Sequence, residues 1–353
     1  MTSSKNMKIG ILTAGGDCPG LNAAIRGIGK TAALKYGMEV YGFSSGYLGL
    51  VNNEYKKLSV RDMSGILTVG GTILGTSREK PFKKNDYNKY IRSKPEQIKE
   101  NVEKLGLDCV VCIGGNGTMK TAWKLQQAGI NVIGVPKTID NDIWGTDRTF
   151  GFDSAVNIAT EAIDRIHTTA NSHKRIMVVE VMGHDAGWLT LFSGVAGGGD
   201  VILIPEIPYE RAVLKEYILK RYEEGKPYSI VVVAEGINVP PKKNGEKRNK
   251  SAGNYIAEII QKDTGLETRP TILGYIQRGG SPSPADRILA SKLGSYTAQM
   301  ISEGKFGHMA ASKNNKVVAV PLKEVAGKLK VVPADLPLIN QARALDTCFG
   351  ARL

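Results

Sequence analysis

Short apolar runs alternate with amphipathic stretches along this chain, and that alternation limits the folds open to it. Lys8-Ile9-Gly10-Ile11-Leu12-Thr13, Val40-Tyr41-Gly42-Phe43, Cys109–Ile113 and Val132-Ile133-Gly134-Val135 read as buried strands. Leu21–Lys35, Pro95–Leu105 and Met119–Ala128 carry helical periods between them. After a turn-rich passage near Gly145–Gly151 the pattern resumes. Strands are expected at Arg175–Met182, Val201–Ile204, Ser229–Ala234 and Thr271–Leu273, and helices at Ser154–Ser172, Trp188–Ala196, Tyr209–Glu224 and Ala285–Glu303. Strands alternating with helices imply a mostly parallel sheet covered on both faces. With 353 residues, the chain is too long for one ordinary domain and suits two. The expected fold class is therefore α/β: two three-layer α/β/α units with mostly parallel sheets and no flexible linker.

Composition narrows the function. Hydrophobic residues make up 42% and charged residues 23%, the balance of a soluble globular protein. Each apolar run is under about ten residues, too short to cross a bilayer. Met1–Met7 lacks the cationic and apolar regions of a signal peptide, so a cytoplasmic chain without membrane partners is expected. Four cysteines are too few for a disulfide framework. Cys109 and Cys112 have CxxC spacing, but on a strand residues three apart face opposite sides and do not share a metal. The net charge of +13 suits nucleic acid or small anionic substrates such as phosphates. The densest basic stretch, Lys242–Lys250, has no interleaved aromatic residue and reads as a solvated loop. The rest of the excess is scattered, which argues against a nucleic-acid partner.

Three stretches carry candidate chemistry. Val132–Val135 reads as a strand closed by Pro136, after which Lys137, Thr138, Asp140 and Asp142 follow closely. Polar clusters beyond strand C-termini are where α/β sheets bind ligands. In an extended segment Asp140 and Asp142 would point the same way, suiting a proton acceptor beside a magnesium ligand. A loop with an Asx turn and solvated acids uses the same residues. Gly15-Gly16 and Gly114-Gly115-Asn116-Gly117-Thr118 each follow a strand and open a helix. Glycine admits an anion close to the backbone, and the helix start offers unpaired N–H groups. A Walker loop, GxxxxGK[ST], is absent, and each turn alone also serves as a plain strand-to-helix connection.

Taken in order, Gly15–Asn22, Gly114–Thr118, Lys137–Asp142, Met182-Gly183 and Gln277-Arg278-Gly279-Gly280-Ser281-Pro282 resemble the 6-phosphofructokinases, from about residue 8 to about residue 300. The run Thr138–Asp147 is the most specific part of the likeness. The resemblance implies a kinase that transfers the γ-phosphoryl of ATP to the 1-hydroxyl of fructose 6-phosphate, with Mg²⁺, in glycolysis. It implies Asp140 as the proton acceptor, with Thr138 near the transferred phosphoryl and Asp142 near the metal. Gly16, Arg78, Glu79, Gly115, Asn116, Gly117, Thr118 and Lys137 fall at the ATP site. Met182, Gly183, His184, Glu235, Tyr275, Gln277 and Arg278 fall at the sugar-phosphate site with Thr138 and Asp140. Arg175 and Arg269 match arginines that reach this phosphate from a neighbouring subunit, so a homodimer or homotetramer is implied. An ATP domain would span 1–150 plus about 277–315, and a sugar-phosphate domain 151–276 plus about 316–353.

Several positions depart from the commonest bacterial pattern of that family. Asn116, which with Asp142 would hold the metal, stands in place of an aspartate. His184 replaces an arginine, Tyr275 a histidine and Lys137 a glycine. Gly117 resembles ATP users, since an aspartate there would repel the nucleotide, whereas Lys137 resembles pyrophosphate users. ATP is the expected donor and pyrophosphate the alternative. Arg26, Lys30 and Lys226 keep cations at the family's effector site, where His167 replaces an arginine. An NAD kinase or lipid kinase also carries a GGDGT-like loop, but would lack the Arg278–Pro282 turn and Met182-Gly183.

Overall fold

The computed structural model describes residues 6–83, 93–241 and 251–352, so the basic stretch Lys242–Lys250 lies outside the described residues. Two compact units are present. The first is Met1–Ile139, Ile143–Ser154 and Arg278–Leu329, and the second is Asp140–Asp142, Ala155–Gln277 and Lys330–Leu353. Across both units the strands are β1 (Lys8–Thr13), β2 (Glu39–Phe43), β3 (Tyr55–Leu58), β4 (Cys109–Gly114), β5 (Val132–Thr138), β6 (Phe150–Gly151), β7 (Ile176–Val181), β8 (Val201–Leu203), β9 (Ser229–Ala234), β10 (Thr268–Ile272), β11 (His308–Lys313) and β12 (Lys316–Pro321).

The first unit's sheet runs β12-β11-β5-β4-β1-β2-β3, with β6 paired to β5. Its interior pairs are parallel, while β3 and β12 are antiparallel edges. Strand β4, Cys-Val-Val-Cys-Ile-Gly, is buried throughout, as a parallel strand covered on both faces must be. Residues 316–329 belong here, not with the second unit as expected from sequence, because β12 pairs along its whole length with β11. Helices Leu21–Tyr36 and Pro284–Ser302 pack closely through small residues: a Cβ built on Gly294 would stand 2.8 Å from the Ala24 carbonyl oxygen. Burial of Leu12, Phe43, Val110, Met119, Val132, Met309 and Val320 builds one core, at about 1.5–3 kcal/mol for each large side chain.

The second unit's sheet runs β10-β7-β9-β8 and is parallel throughout. Val178, Val231, Val233, Ile256 and Ile260 fill one of its cores, and Ile202, Ile204, Val332 and Ile339 fill another. Three expectations need correction. Pro136 does not end β5, which continues to Thr138: beyond Gly134 the strand has left β11, so Pro136 is paired with β4 alone and its missing N–H is tolerated. The helix expected from Met119 starts at Asn116, with Gly115 as its N-cap, so Gly117 and Thr118 lie in its first turn. Asp140 and Asp142 do not follow strand alternation, because Asn141 between them is left-handed, with φ 51°. Among the described residues no helix is long and apolar enough to cross a membrane.

Candidate active site

In the first unit, three adjacent parallel strands, β1, β4 and β5, deliver their polar ends to one edge of the sheet. The loop after β1 is tied to the segment ending at Arg78. Gly15 N donates to the Ser77 carbonyl at 2.9 Å, and Thr76 Oγ1 donates to the Gly15 carbonyl at 2.6 Å. Thr13 Oγ1 donates to the Gly75 carbonyl at 2.6 Å. Asn22, fully buried, donates from Nδ2 to the Val69 and Gly70 carbonyls and accepts from Ile73 N at 2.8 Å. Arg78 itself is exposed, and Glu79 is paired with Lys94 at 2.8 Å.

Lys137 is 2% exposed, and its ammonium donates to the Gly16 carbonyl. A Cβ built on Gly15 would stand 4.0 Å from both Lys137 Nζ and Thr118 Oγ1, so the two glycine loops and Lys137 meet. Thr138 is held from behind by Thr149, whose hydroxyl donates to its carbonyl at 2.8 Å. Gly115 caps the helix at Asn116, whose opening N–H groups lie at the β4 end. A Cβ on Gly117 would meet nothing within 4 Å. Arg278 belongs to this unit. Its Nη1 donates to the Asp17 carbonyl at 3.1 Å, and a Cβ on Gly16 would come within 2.6 Å of the same atom. A side chain at position 16 would displace the guanidinium.

Below this edge lies a buried network. Asp286 Oδ2 accepts from Ser154 N at 2.8 Å and Ser154 Oγ at 2.6 Å, and Ser283 N donates to Ser154 Oγ at 2.9 Å. Burial pushes the Asp286 carboxyl up to about 6, against the two Ser154 hydrogen bonds. Burial also pushes the Cys18 thiol up to about 12, so this cysteine of the Gly15–Asn22 segment is an inert core group. Cys112, of the CxxC pair, is pushed to about 12 likewise.

The second unit holds the other expected residues, in two groups. At the C-terminal end of β7, Glu235 Oε1 accepts from Gly183 N at 3.1 Å and His184 N at 2.9 Å. Gly183 has φ 151°, and a Cβ there would press within 2.5 Å of the Ala186 carbonyl oxygen, so glycine is required. Gln277, fully buried, accepts from Met182 N at 3.3 Å. Tyr275 is exposed, and His184 turns outward to pair with Asp185 at 2.9 Å. Arg175 and Arg269 are elsewhere, at the N-terminal end of the sheet. Arg175 precedes β7, Arg269 is in register with Met177, and both pair with Glu267 at 2.9 and 2.5 Å. The Arg175 hydrogen bond, above all, lowers the Glu267 pKa. Seven residues separate Arg175 from Met182, about 23 Å of extended strand at about 3.3 Å per residue.

Two of the expected arginines share a feature. Arg175 Nε and Arg278 Nε are buried and have no hydrogen-bond partner. An unmet buried donor costs about 1–3 kcal/mol, which an arriving anion recovers. Sequence reasoning did not single out Thr13, Asn22, Glu267 or Asp286, all of which support the expected residues, although Thr13, Asn22 and Asp286 fell inside quoted segments. Of the cations noted for an effector site, Lys30 bonds Ser64 at 2.9 Å, and His167 Nε2 shares a hydrogen bond with the Gly197 carbonyl at 2.7 Å.

Comparison with known proteins places the chain in a family. The profile of the family described as Phosphofructokinase matches residues 8–301. ATP-dependent 6-phosphofructokinase 3 of Bacteroides thetaiotaomicron is 58% identical, covering 98% of this chain and all of the relative. The crystal structure of Pichia pastoris phosphofructokinase in the T-state is 34% identical with a TM-score of 0.81, covering 98% of this chain but only 37% of that longer one. A pyrophosphate-dependent phosphofructokinase from Nitrosospira multiformis, 22% identical with a TM-score of 0.82 over 94% of this chain and 87% of its own, shares the fold. With its glycine loops at adjacent strand ends and a family profile spanning most of its length, this chain belongs to the phosphofructokinase family.

Proposed function

We propose that the chain is an ATP-dependent 6-phosphofructokinase, transferring the γ-phosphoryl of ATP to the 1-hydroxyl of fructose 6-phosphate to give fructose 1,6-bisphosphate in glycolysis. The observation that carries this reading is the meeting of Gly15-Gly16, Thr118 and Lys137 at the ends of adjacent strands, in a chain whose full-length relatives bear that name. Phosphoryl transfer passes through a loose transition state, so positioning and charge neutralisation do most of the work. The N–H groups opening the helix at Asn116 take donor phosphate oxygens, and Arg78 and Lys137 offset the charge that develops. Asp140 accepts the proton of the sugar hydroxyl, and Thr138 lies beside the transferred group. Met182, Gly183, His184, Glu235, Tyr275, Gln277 and Arg278 bind the sugar phosphate.

Oxygen donors at Asn116 and Asp142 suit a hard cation such as Mg²⁺. Among the described residues no group of three or more His, Cys, Asp or Glu side chains is placed to hold a metal. When bound, Mg²⁺ would neutralise charge on the bridging phosphate oxygens. The open space at Gly117 favours ATP: an aspartate there would face the nucleotide's phosphates. The separation of Arg175 and Arg269 from Met182 and Glu235 supports their reaching a sugar phosphate held by a second copy, hence at least a homodimer.

The deciding measurement is an assay of the purified protein with fructose 6-phosphate, Mg²⁺ and either ATP or pyrophosphate. Fructose 1,6-bisphosphate should form with ATP. Turnover with pyrophosphate alone would overturn the donor, and turnover with neither would overturn the reading. Asp140→Ala should lower kcat by about 10²–10⁴-fold, with KM for both substrates little changed.

A further inference from the structure

The Asp140–Asp142 segment turns through a left-handed residue at its centre. Asn141 sits at φ 51°, a left-handed conformation uncommon for non-glycine residues, though asparagine adopts it more readily than most. Within the second unit, Lys330 is one of the residues that hold it. Lys330 donates from its backbone N to the Asp142 carbonyl at 2.8 Å and from Nζ to Asn141 Oδ1 at 3.0 Å. Its ammonium also stands 5.2 Å from the centre of the Trp188 ring, within cation–π range. The indole returns the contact, Trp188 Nε1 donating to the Lys330 carbonyl at 2.9 Å.

Lys330 is fixed in turn. Gly187, just before Trp188, donates its N–H to both Glu206 carboxylate oxygens at 2.9 and 3.1 Å. Glu206 Oε1 also accepts from Val332 N at 2.9 Å. One carboxylate thus ties the start of helix Trp188–Ala196 to the strand of chain on which Lys330 lies. Lys330 falls past residue 301, where the family profile stops, so no sequence pattern pointed to it.

We propose that Lys330 is a positioning residue for phosphoryl transfer: it locks the left-handed turn at Asn141 and thereby sets the directions of the Asp140 and Asp142 carboxylates. The inference rests on the reading of Asp140 as proton acceptor. Both carboxylates flank Asn141, so relaxation of its φ out of the left-handed region swings one against the other. A displacement of about 1 Å at a reacting group lowers rate by up to about 10²-fold without touching the substrate itself. Binding is affected less, because most groups assigned to sugar and nucleotide lie on other segments.

The test uses Lys330→Met, which keeps the aliphatic stem against Trp188 and removes the charge and donor. The expected result is a kcat lower by about 10- to 100-fold, with KM for fructose 6-phosphate and ATP within about twofold of wild type. Adding Asn141→Gly should then recover part of the lost kcat, since glycine takes the left-handed conformation without penalty. A lowered melting temperature with unchanged kcat would overturn the proposal, leaving Lys330 a stability residue. A raised KM at unchanged kcat would overturn it in favour of direct ligand contact, as would a kcat loss that Asn141→Gly leaves untouched. Asp140→Ala, run in parallel, separates the two claims. Retained turnover there overturns the base assignment, whereas lost turnover there with Lys330→Met fully active overturns the clamp alone.

Discussion

In the eight-stranded sheet, the groups assigned to the phosphate donor come from one edge: β1, β4 and β5 end side by side, and Gly15-Gly16, Thr118 and Lys137 meet there. The four-stranded sheet divides its assigned residues. Met182, Gly183, Glu235 and Gln277 are hydrogen-bonded together at its C-terminal end, while Arg175 and Arg269 share Glu267 at its N-terminal end. Parallel strands explain the first arrangement, because every β-to-α connection leaves from the same edge. They also separate the second group: residues before and after the same strand are a strand's length apart. On the proposed reading, the donor groups gather at one sheet edge, while the acceptor groups are divided between the two ends of a sheet.

Gly117 offers the sharpest attempt to break the donor side. Among the described residues no atom beyond its own helix turn lies within 4 Å of the position a Cβ would take, so Gly117→Asp should fold normally. Its carboxylate would face the bound nucleotide's phosphates. At about 4 Å and an effective dielectric of about 20, like charges repel by about 4 kcal/mol. ATP-dependent kcat/KM should therefore fall by about two to three orders of magnitude, with the melting temperature unchanged. Steady-state kinetics that kept ATP turnover would remove Gly117 from the donor site.

Breaking the acceptor side calls for two variants at once. Arg175→Ala should raise KM for fructose 6-phosphate by about 10- to 100-fold, the value of a charge-assisted hydrogen bond of about 1.5–3 kcal/mol. Asp140→Ala should lower kcat by about 10²–10⁴-fold. If Arg175 serves its neighbour's site, a co-expressed mixture regains activity, because mixed oligomers contain one site with Asp140 from one copy and Arg175 from the other. If it serves its own chain, no mixture recovers.

Much of this organisation was legible in the residue order, for identifiable reasons. Continuous apolar runs such as Ser229–Ala234 mark strands buried on both faces, and their bounds follow directly. Edge strands lack that signal: β3 is Tyr-Lys-Lys-Leu with three exposed residues, and β11 and β12 are joined through Asn314 and Asn315 in left-handed conformations. Residue order also places Asp140 and Asp142 two apart, but not the φ of 51° at Asn141 that turns them from strand alternation. Lys330 is far from Asn141 in sequence, and only folding brings them together. The same holds for Glu267, whose pairing with both arginines depends on the register of β10 against β7.

Asp286 provides the mildest test, one of stability and not of turnover. The donor edge rests on its network, since Asp286 joins Ser154 to Ser283 just after the Arg278–Pro282 turn. Its carboxyl is raised from 3.8 to about 6 in the folded chain, with burial the leading cause and Asp153 adding repulsion. A raised folded pKa means the native state takes up the proton first. The group's contribution to folding is therefore full below the unfolded value near 3.8, and is lost as pH rises through about 6. Asp286→Asn has no proton to bind. Wild type should gain a few degrees of melting temperature relative to this variant on going from pH 7 to pH 4.5. Parallel melting curves across that interval would show that Asp286 is charged alike in both states, and that the serine network, not protonation, carries its role at the donor edge.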